Sequence, residues 1–146
     1  ISTTILRPFN LYGSHQRPDF VIPKFLDLVN QGKVPTVYGD GTQTRDLLYV
    51  TDCARFIVEG TFSEATTGEV INAGTGSDIS INGLAELIAT EGTDIEHVEH
   101  HHPQSEVETL RCDPQKAEEL LDWEPNISLE AGVDRLRTWL REGQSD

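Results

Sequence analysis

Apolar residues along the chain form short runs rich in β-branched side chains, and these runs alternate with stretches in which apolar residues recur every three or four positions. The first pattern is typical of strands and the second of amphipathic helices. We predict strands at 3–7, 34–38, 45–50, 70–74 and within 96–102. We predict helices at 23–31, 51–60, 80–88, 113–121 and 128–140. Strands that alternate with helices of about ten residues predict an α/β fold without an internal domain boundary.

Turn and capping residues set the predicted boundaries of these elements. Pro and Gly punctuate a loop at 8–13, and Gly39–Gly41 predicts a tight hairpin turn between two strands. Thr51, Ser80 and Ser128 each precede a helical pattern. Their hydroxyl groups suit the N-cap position, so we expect helices to begin directly after them.

The chain of 146 residues is strongly acidic, with 25 acidic residues, 11 basic residues and a net charge of -14. Such a surface repels nucleic acid and anionic membranes, so we predict no partner of either kind. Dispersed acidity with few lysines, on a chain with globular patterning, indicates adaptation to high salt. The alternative of a disordered acidic chain conflicts with the periodic apolar segments and the two tryptophans.

The sequence shows neither a signal peptide nor the run of about eighteen apolar residues that a membrane span needs. Cys53 and Cys112 lack metal-type spacing, so we expect both to be small buried hydrophobic residues in a reduced cytoplasm. The chain opens on a strand-like run at Ile1 and contains no methionine. We therefore expect it to be a piece of a larger gene product.

Several sequence blocks follow one another along almost the whole chain. They are LRPFNLYG at 6–13, YGDGTQTRDLLYVTD at 38–52, NAGTG at 72–76, DPQKA at 113–117, WEP at 123–125 and SLEAG at 128–132. In this order they resemble the nucleotide-sugar branch of the extended short-chain dehydrogenase/reductase superfamily. The second block looks closest to dTDP-glucose 4,6-dehydratases, and PQSEV at 103–107 is similar to UDP-sugar dehydratases, while UDP-glucose 4-epimerases stay an alternative. The resemblance implies the C-terminal part of a Rossmann-type α/β fold.

Two hallmarks of that superfamily are absent from this sequence. Gly74-Thr75-Gly76 lacks the third glycine of the turn that holds the dinucleotide pyrophosphate, and the chain has no catalytic Tyr-x-x-x-Lys pair. In the family, both hallmarks precede the strand with which this chain begins. The resemblance therefore implies that residues 1–146 are a C-terminal substrate-binding part without catalytic residues. NAD would be bound mainly by an N-terminal part that this chain lacks.

For the intact enzyme, the resemblance implies a homodimer that binds NAD and a UDP- or dTDP-sugar. NAD oxidises the sugar at C4, and the transient 4-keto sugar is then reprotonated, dehydrated or reduced. This part would contribute affinity and orientation, and we expect it to be inactive alone. Two alternatives stay open, a non-catalytic nucleotide-sugar-binding module and a fragment whose role is assembly.

The matched blocks imply which residues contact the cofactor and the diphosphate. Pro8 matches the position whose backbone meets the nicotinamide carboxamide. Asn10 matches an asparagine beside the diphosphate and sugar, where an amide can donate to phosphate; its alternative role is to form a turn. Arg45 matches the arginine on the diphosphate, because its guanidinium suits two phosphate oxygens. The alternative is an ion pair with Asp46 or Asp52.

Three further positions complete the expected substrate site. Tyr38 matches a position that stacks on the pyrimidine base in dehydratase-like members, although an aromatic residue at a strand end is as often core. Lys24, at the head of a predicted helix, is expected to add charge at the phosphate, with a solvated lysine as the alternative. His102 stands where the family commonly has an arginine on the diphosphate, and a partly charged imidazole is a weaker phosphate ligand.

The histidines at 97, 100, 101 and 102 suggest a metal site at first sight. Alternation along a strand would divide them between two faces, and the sequence has no second cluster of ligands. We therefore predict no metal. Trp123 and Trp139 fit helical periodicity and are interpreted as core residues.

Overall fold

The computed structural model of the chain describes residues 2–89, 94–100 and 106–143. Within these ranges the strands are β1 (Ile5–Pro8), β2 (Leu11–Tyr12), β3 (Thr36–Tyr38), β4 (Thr44–Arg45), β5 (Leu48–Tyr49), β6 (Val70–Ala73), β7 (Ile79–Ser80), β8 (Glu96–Val98) and β9 (Thr109–Leu110). The α-helices there are α1 (Val21–Asn30), α2 (Val50–Phe62), α3 (Ile81–Ile88), α4 (Gln115–Leu121) and α5 (Leu129–Arg141), and a 3₁₀ turn covers Glu64–Thr66.

The strands pair in small sheets, and most of the pairs are parallel. β1 runs parallel to β6, β2 to β5 and β3 to β8. In the remaining sheet, β4 lies between β7 and β9, antiparallel to the first and parallel to the second. Parallel pairs need long crossover connections, and helices provide several of them here. The architecture confirms the predicted α/β class.

Two apolar clusters form the core. The larger cluster lies among α1, α3 and α5 and includes Phe25, Leu84 and Leu136, each at most 2% exposed. The second surrounds the fully buried Trp123, whose ring lies 5.2 Å from that of Phe56 between centroids. This cluster covers one face of the β1–β6 pair. Trp123 is a core residue as predicted, whereas Trp139 is only half-buried and packs against the larger cluster. Both cysteines are buried as expected.

Local sequence signals place the starts of α3 and α5. The hydroxyl oxygen of Ser80 accepts a hydrogen bond from the backbone N–H of Gly83 at 3.0 Å, and that of Ser128 accepts from Ala131 at 3.2 Å. Both predicted N-caps are therefore confirmed. The predicted helix at 113–121 corresponds to α4, which begins two residues later than predicted, directly after Pro114. The predicted helix at 23–31 corresponds to α1.

The predicted single strand at 45–50 is wrong. β4 ends at Arg45, and β5 belongs to a different sheet. Asp46 interrupts the strand because its buried side chain accepts hydrogen bonds from two loops elsewhere in the chain. The predicted hairpin turn at Gly39–Gly41 is also wrong. The two flanking strands do not pair with each other, since β3 pairs with β8 while β4 pairs with β7 and β9.

The prediction of Thr51 as an N-cap is also wrong. α2 begins at Val50, and Tyr49 takes the N-cap position without a side-chain hydrogen bond. The buried ring of Tyr49 meets that of Tyr12 edge to face, with 5.3 Å between centroids. This contact joins β5 to β2, a strand inside the predicted loop at 8–13. Tertiary packing therefore determines where this helix begins.

Candidate functional site

A cleft with a volume of about 390 Å³ opens between α1, β3, β4 and the segment that follows β8. Small-molecule sites commonly have volumes of roughly 300–1,000 Å³. The apolar floor includes Ile22, Phe25, Val37 and Leu47. The polar lining includes Asn10, Lys24, Tyr38, Arg45, His100 and Glu106. The first four of these polar residues are expected substrate-binding residues, so the fold gathers them at one place.

Lys24 and Tyr38 form one side of the cleft. The ammonium group of Lys24 donates to the phenolic oxygen of Tyr38 at 3.2 Å and lies 4.5 Å from the centre of its ring, which is a cation–π arrangement. Tyr38 is 40% exposed, so the core alternative for this residue is wrong. The ring of His100 meets Tyr38 nearly edge-on, with 6.4 Å between centroids. Lys24 lies in the first turn of α1, as expected.

Arg45 also lines the cleft and is held by several acceptors. Its Nη1 donates to the backbone carbonyl oxygens of Thr44 and Val107, each at 2.7 Å. Its Nη2 forms an ion pair with Oε1 of Glu106. The side chains of Arg45 and Glu106 are 18% and 29% exposed. An ion pair is present, but its carboxylate is neither of the two that the sequence suggests.

Glu106 bridges two residues of the cleft. While Oε1 pairs with Arg45, Oε2 lies 3.1 Å from Nε2 of His100. The two partners come from different segments, because Arg45 ends β4 and His100 follows β8. Glu106 therefore connects two segments of the cleft lining through one carboxylate.

Asn10 is held in the cleft by the backbone of Asp46, the residue that directly follows β4. Its Nδ2 donates to the backbone oxygen of Asp46 at 2.8 Å. The bond uses one of the two amide hydrogens and determines the plane of the side chain. Asn10 lies between β1 and β2, and this contact ties the β1–β2 connection to the strand end that carries Arg45.

Asp46 itself is fully buried and organises the loops behind the cleft. Its carboxylate accepts from the backbone N–H groups of Thr75 at 2.9 Å, Gly76 at 2.9 Å and Cys112 at 3.1 Å, and from the Thr75 hydroxyl at 2.8 Å. Burial, with the nearby charges of Asp46 and Asp113, raises the pKa of the Cys112 thiol to about 12. The amides of the Gly-rich turn therefore bind a protein carboxylate.

Comparison with known proteins identifies the family. The family model described as GDP-mannose 4,6 dehydratase matches residues 1–136. The chain belongs to this family. UDP-glucuronate 4-epimerase of Thermodesulfobacterium geofontis is 34% identical, in a match that covers 97% of this chain and 44% of the relative. The chain spans less than half the length of the curated relatives that it matches.

Solved structures agree with this assignment to the GDP-mannose 4,6-dehydratase family. Pal from Bacillus thuringiensis is 47% identical with a TM-score of 0.90, covering 95% of this chain and 45% of that chain. UDP-glucuronic acid 4-epimerase from Bacillus cereus, in complex with UDP-glucuronic acid and NAD, is 31% identical with a TM-score of 0.81, covering 95% and 45%. The predicted superfamily of extended nucleotide-sugar epimerases and dehydratases is confirmed, and NAD is the cofactor of the family.

The two remaining expected site residues are Pro8 and His102. Pro8 ends β1, is exposed, and does not line the cleft of this family member. His102 lies outside the described residues. The contact of Pro8 with nicotinamide and that of His102 with the diphosphate stay predictions.

The sequence did not predict the roles that three acidic or imidazole side chains have in this region, Asp46, His100 and Glu106. A signal existed for Asp46, because an acidic residue in the middle of an otherwise apolar strand pattern needs a buried set of donors. Glu106 lies in a block that resembles UDP-sugar dehydratases, but the resemblance did not indicate a function for its carboxylate. Only the tertiary structure shows that it reaches Arg45.

The histidines of the described segment contact protein groups. Nδ1 of His97 lies 2.9 Å from the backbone oxygen of Gly39, and His100 faces Glu106. Across residues 2–89, 94–100 and 106–143, no three His, Cys, Asp or Glu side chains are grouped to hold a metal ion. None of the helices in these ranges is long and apolar enough to cross a membrane.

Proposed function

We propose that this chain binds the nucleotide sugar of an NAD-dependent epimerase or dehydratase. The observation that supports this function is the cleft that collects Asn10, Lys24, Tyr38 and Arg45. A chain with a net charge of -14 has few cations, yet two of them line this one cleft beside an exposed aromatic ring. A diphosphate needs cations, and a pyrimidine base needs a flat apolar surface.

Each side chain has a distinct role in the proposed site. The planar guanidinium of Arg45 would donate to two phosphate oxygens, which a lysine in its place could not match in geometry. Lys24 would add a second positive charge, reinforced by the N-terminal end of α1. Tyr38 would stack on the base, and Asn10 would donate to phosphate or sugar through its remaining amide hydrogen. Together these groups would orient the sugar for reaction at C4.

The Gly-rich turn at 74–76 uses its backbone N–H groups within the chain. The N–H groups of Thr75 and Gly76 bind Asp46, and Pro8 is the expected contact with the cofactor. We therefore propose that NAD is bound mainly by a part of the protein outside residues 1–146 and supplies the hydride chemistry that gives a transient 4-keto sugar. By this proposal the chain alone shows no turnover, and the intact enzyme is a homodimer.

Calorimetric titration of the chain with UDP-glucose, dTDP-glucose and GDP-mannose, in molar salt, tests the proposed function. We expect one nucleotide class to bind more tightly than the others. Arg45→Ala should weaken that binding by about tenfold or more, because a charge-assisted contact with phosphate is lost. Arg141→Ala, which removes the same charge from the exposed end of α5, is the matched control and should leave binding unchanged.

The control separates a specific contact from general electrostatics. If Arg141→Ala weakens binding as much as Arg45→Ala, the phosphate is not bound at the cleft. Absence of binding to all three sugars by a folded, monodisperse sample contradicts the proposal that these residues bind the nucleotide sugar on their own.

A further inference from the structure

The cations of the cleft already have partners within the chain. Arg45 pairs with the carboxylate of Glu106, and Lys24 contacts Tyr38. Glu106 is also 3.1 Å from His100, whose ring packs edge-on against Tyr38. The five side chains, all of which line the cleft, thus form one continuous set of contacts.

The contact between Glu106 and Arg45 concerns the anion position directly. Nη1 of Arg45 is engaged by two backbone carbonyl oxygens, while Nη2 faces the carboxylate of Glu106. A phosphate that approaches Arg45 from the cleft therefore meets a guanidinium edge that already holds a carboxylate. Phosphate and carboxylate compete for the same planar N–H donors.

The ion pair of Arg45 and Glu106 also lies where its two side chains can exchange partners. Its side chains are 18% and 29% exposed, so water and a ligand reach both. Glu106 has a second partner in His100, which remains when Arg45 is released. The neighbouring carboxylate of Asp46 differs, because it is fully buried and bound by protein donors.

We propose that Glu106 is an internal competitor of the ligand, whose carboxylate occupies the phosphate position on Arg45 and sets the affinity of the cleft for diphosphates. The proposal rests on the proposed function, since it assumes that Arg45 binds a diphosphate. A ligand binds when its phosphate replaces Glu106 on Nη2, and Glu106 then keeps its contact with His100.

Titration with inorganic pyrophosphate and with UDP tests the proposal. Glu106→Gln keeps the shape and a weaker acceptor but removes the charge, and Glu106→Ala removes the competitor entirely. We expect the dissociation constants to fall about threefold or more in Glu106→Gln and further in Glu106→Ala. Glu108→Gln is the matched control, because it removes the same charge from an exposed residue two positions away. It should change the affinity far less, and unchanged melting temperatures would show that all variants fold.

The outcomes distinguish this proposal from the proposed function. Pyrophosphate binding that is equal in wild type, Glu106→Gln and Glu108→Gln, or weaker in Glu106→Gln, overturns the competitor role but leaves the nucleotide-sugar function standing. Equal tightening in Glu106→Gln and Glu108→Gln overturns it too, since net charge then explains the effect. Absence of binding in every variant overturns both. Tightening in the Glu106 variants that Arg45→Ala abolishes supports the competitor role.

Discussion

Two polar networks lie next to each other in this chain and differ in almost every physical respect. One surrounds the carboxylate of Asp46, which is fully buried and accepts only from groups of the protein. The other runs across the cleft through Glu106 and Arg45, and both of these side chains are partly exposed. They are joined by sequence, since Arg45 and Asp46 are consecutive residues.

The difference shows that adjacent residues can have separate roles, one in the stability of the fold and the other in ligand binding. A buried carboxylate whose donors are all protein groups stabilises the fold, because any ligand would have to break bonds that water cannot replace. A half-buried pair in contact with solvent can exchange partners at small cost. The buried anchor, which is the carboxylate of Asp46, therefore directly follows in sequence the residue with the exchangeable contact, Arg45. Asn10 binds the backbone oxygen of Asp46.

Asp46→Asn should give the largest effect on stability. The substitution keeps the shape but turns an oxygen acceptor into an N–H donor facing the amides of Thr75, Gly76 and Cys112. We expect a loss of about 3 kcal/mol in the free energy of unfolding, measured by urea denaturation. Asp134→Asn, at an exposed position on α5, is the control and should change stability by less than about 0.5 kcal/mol. A comparable loss in both variants would remove the assigned role of the buried network.

The sequence predicted the elements with strong local signals. Ser80 and Ser128 precede helices whose first free N–H groups need an acceptor, so the hydroxyl groups identify those starts without tertiary information. The family blocks also indicated the correct class, and four of the expected residues meet at one cleft although their positions are far apart in the chain. Local chemistry and ordered motifs were sufficient for this much.

The errors arose where distant contacts decide the structure. Asp46 breaks the predicted strand at 45–50 because its donors come from Thr75 and Cys112, which no local pattern connects to it. The pairing of Arg45 with Glu106 likewise joins residues from separate segments. Such long-range polar contacts depend on the packed fold and carry no periodic signature in the sequence.

The thiol of Cys112 should give a smaller, pH-dependent effect at the buried network. Its pKa is raised to about 12 in the folded chain from an ordinary value near 9. The folded state therefore holds a proton that the unfolded state releases, so this contribution is complete below about pH 9 and is lost as the pH rises toward 12. Between pH 8 and pH 10 the wild type should lose about 1 kcal/mol more than Cys112→Ala, measured by urea unfolding. Parallel curves for the two proteins would contradict the raised pKa.

Arg45→Ala should have the smallest effect on stability, although it should have the largest effect on binding. The guanidinium is partly exposed and paired with a carboxylate that keeps its contact with His100, so we expect a loss of less than about 1 kcal/mol in the free energy of unfolding. The measurement is urea denaturation under the conditions used for Asp46→Asn. A loss as large as that of Asp46→Asn would show that Arg45 is a structural residue. Weak nucleotide-sugar binding by Arg45→Ala would then reflect a damaged fold, and the separation of a buried anchor from an exchangeable contact would not hold.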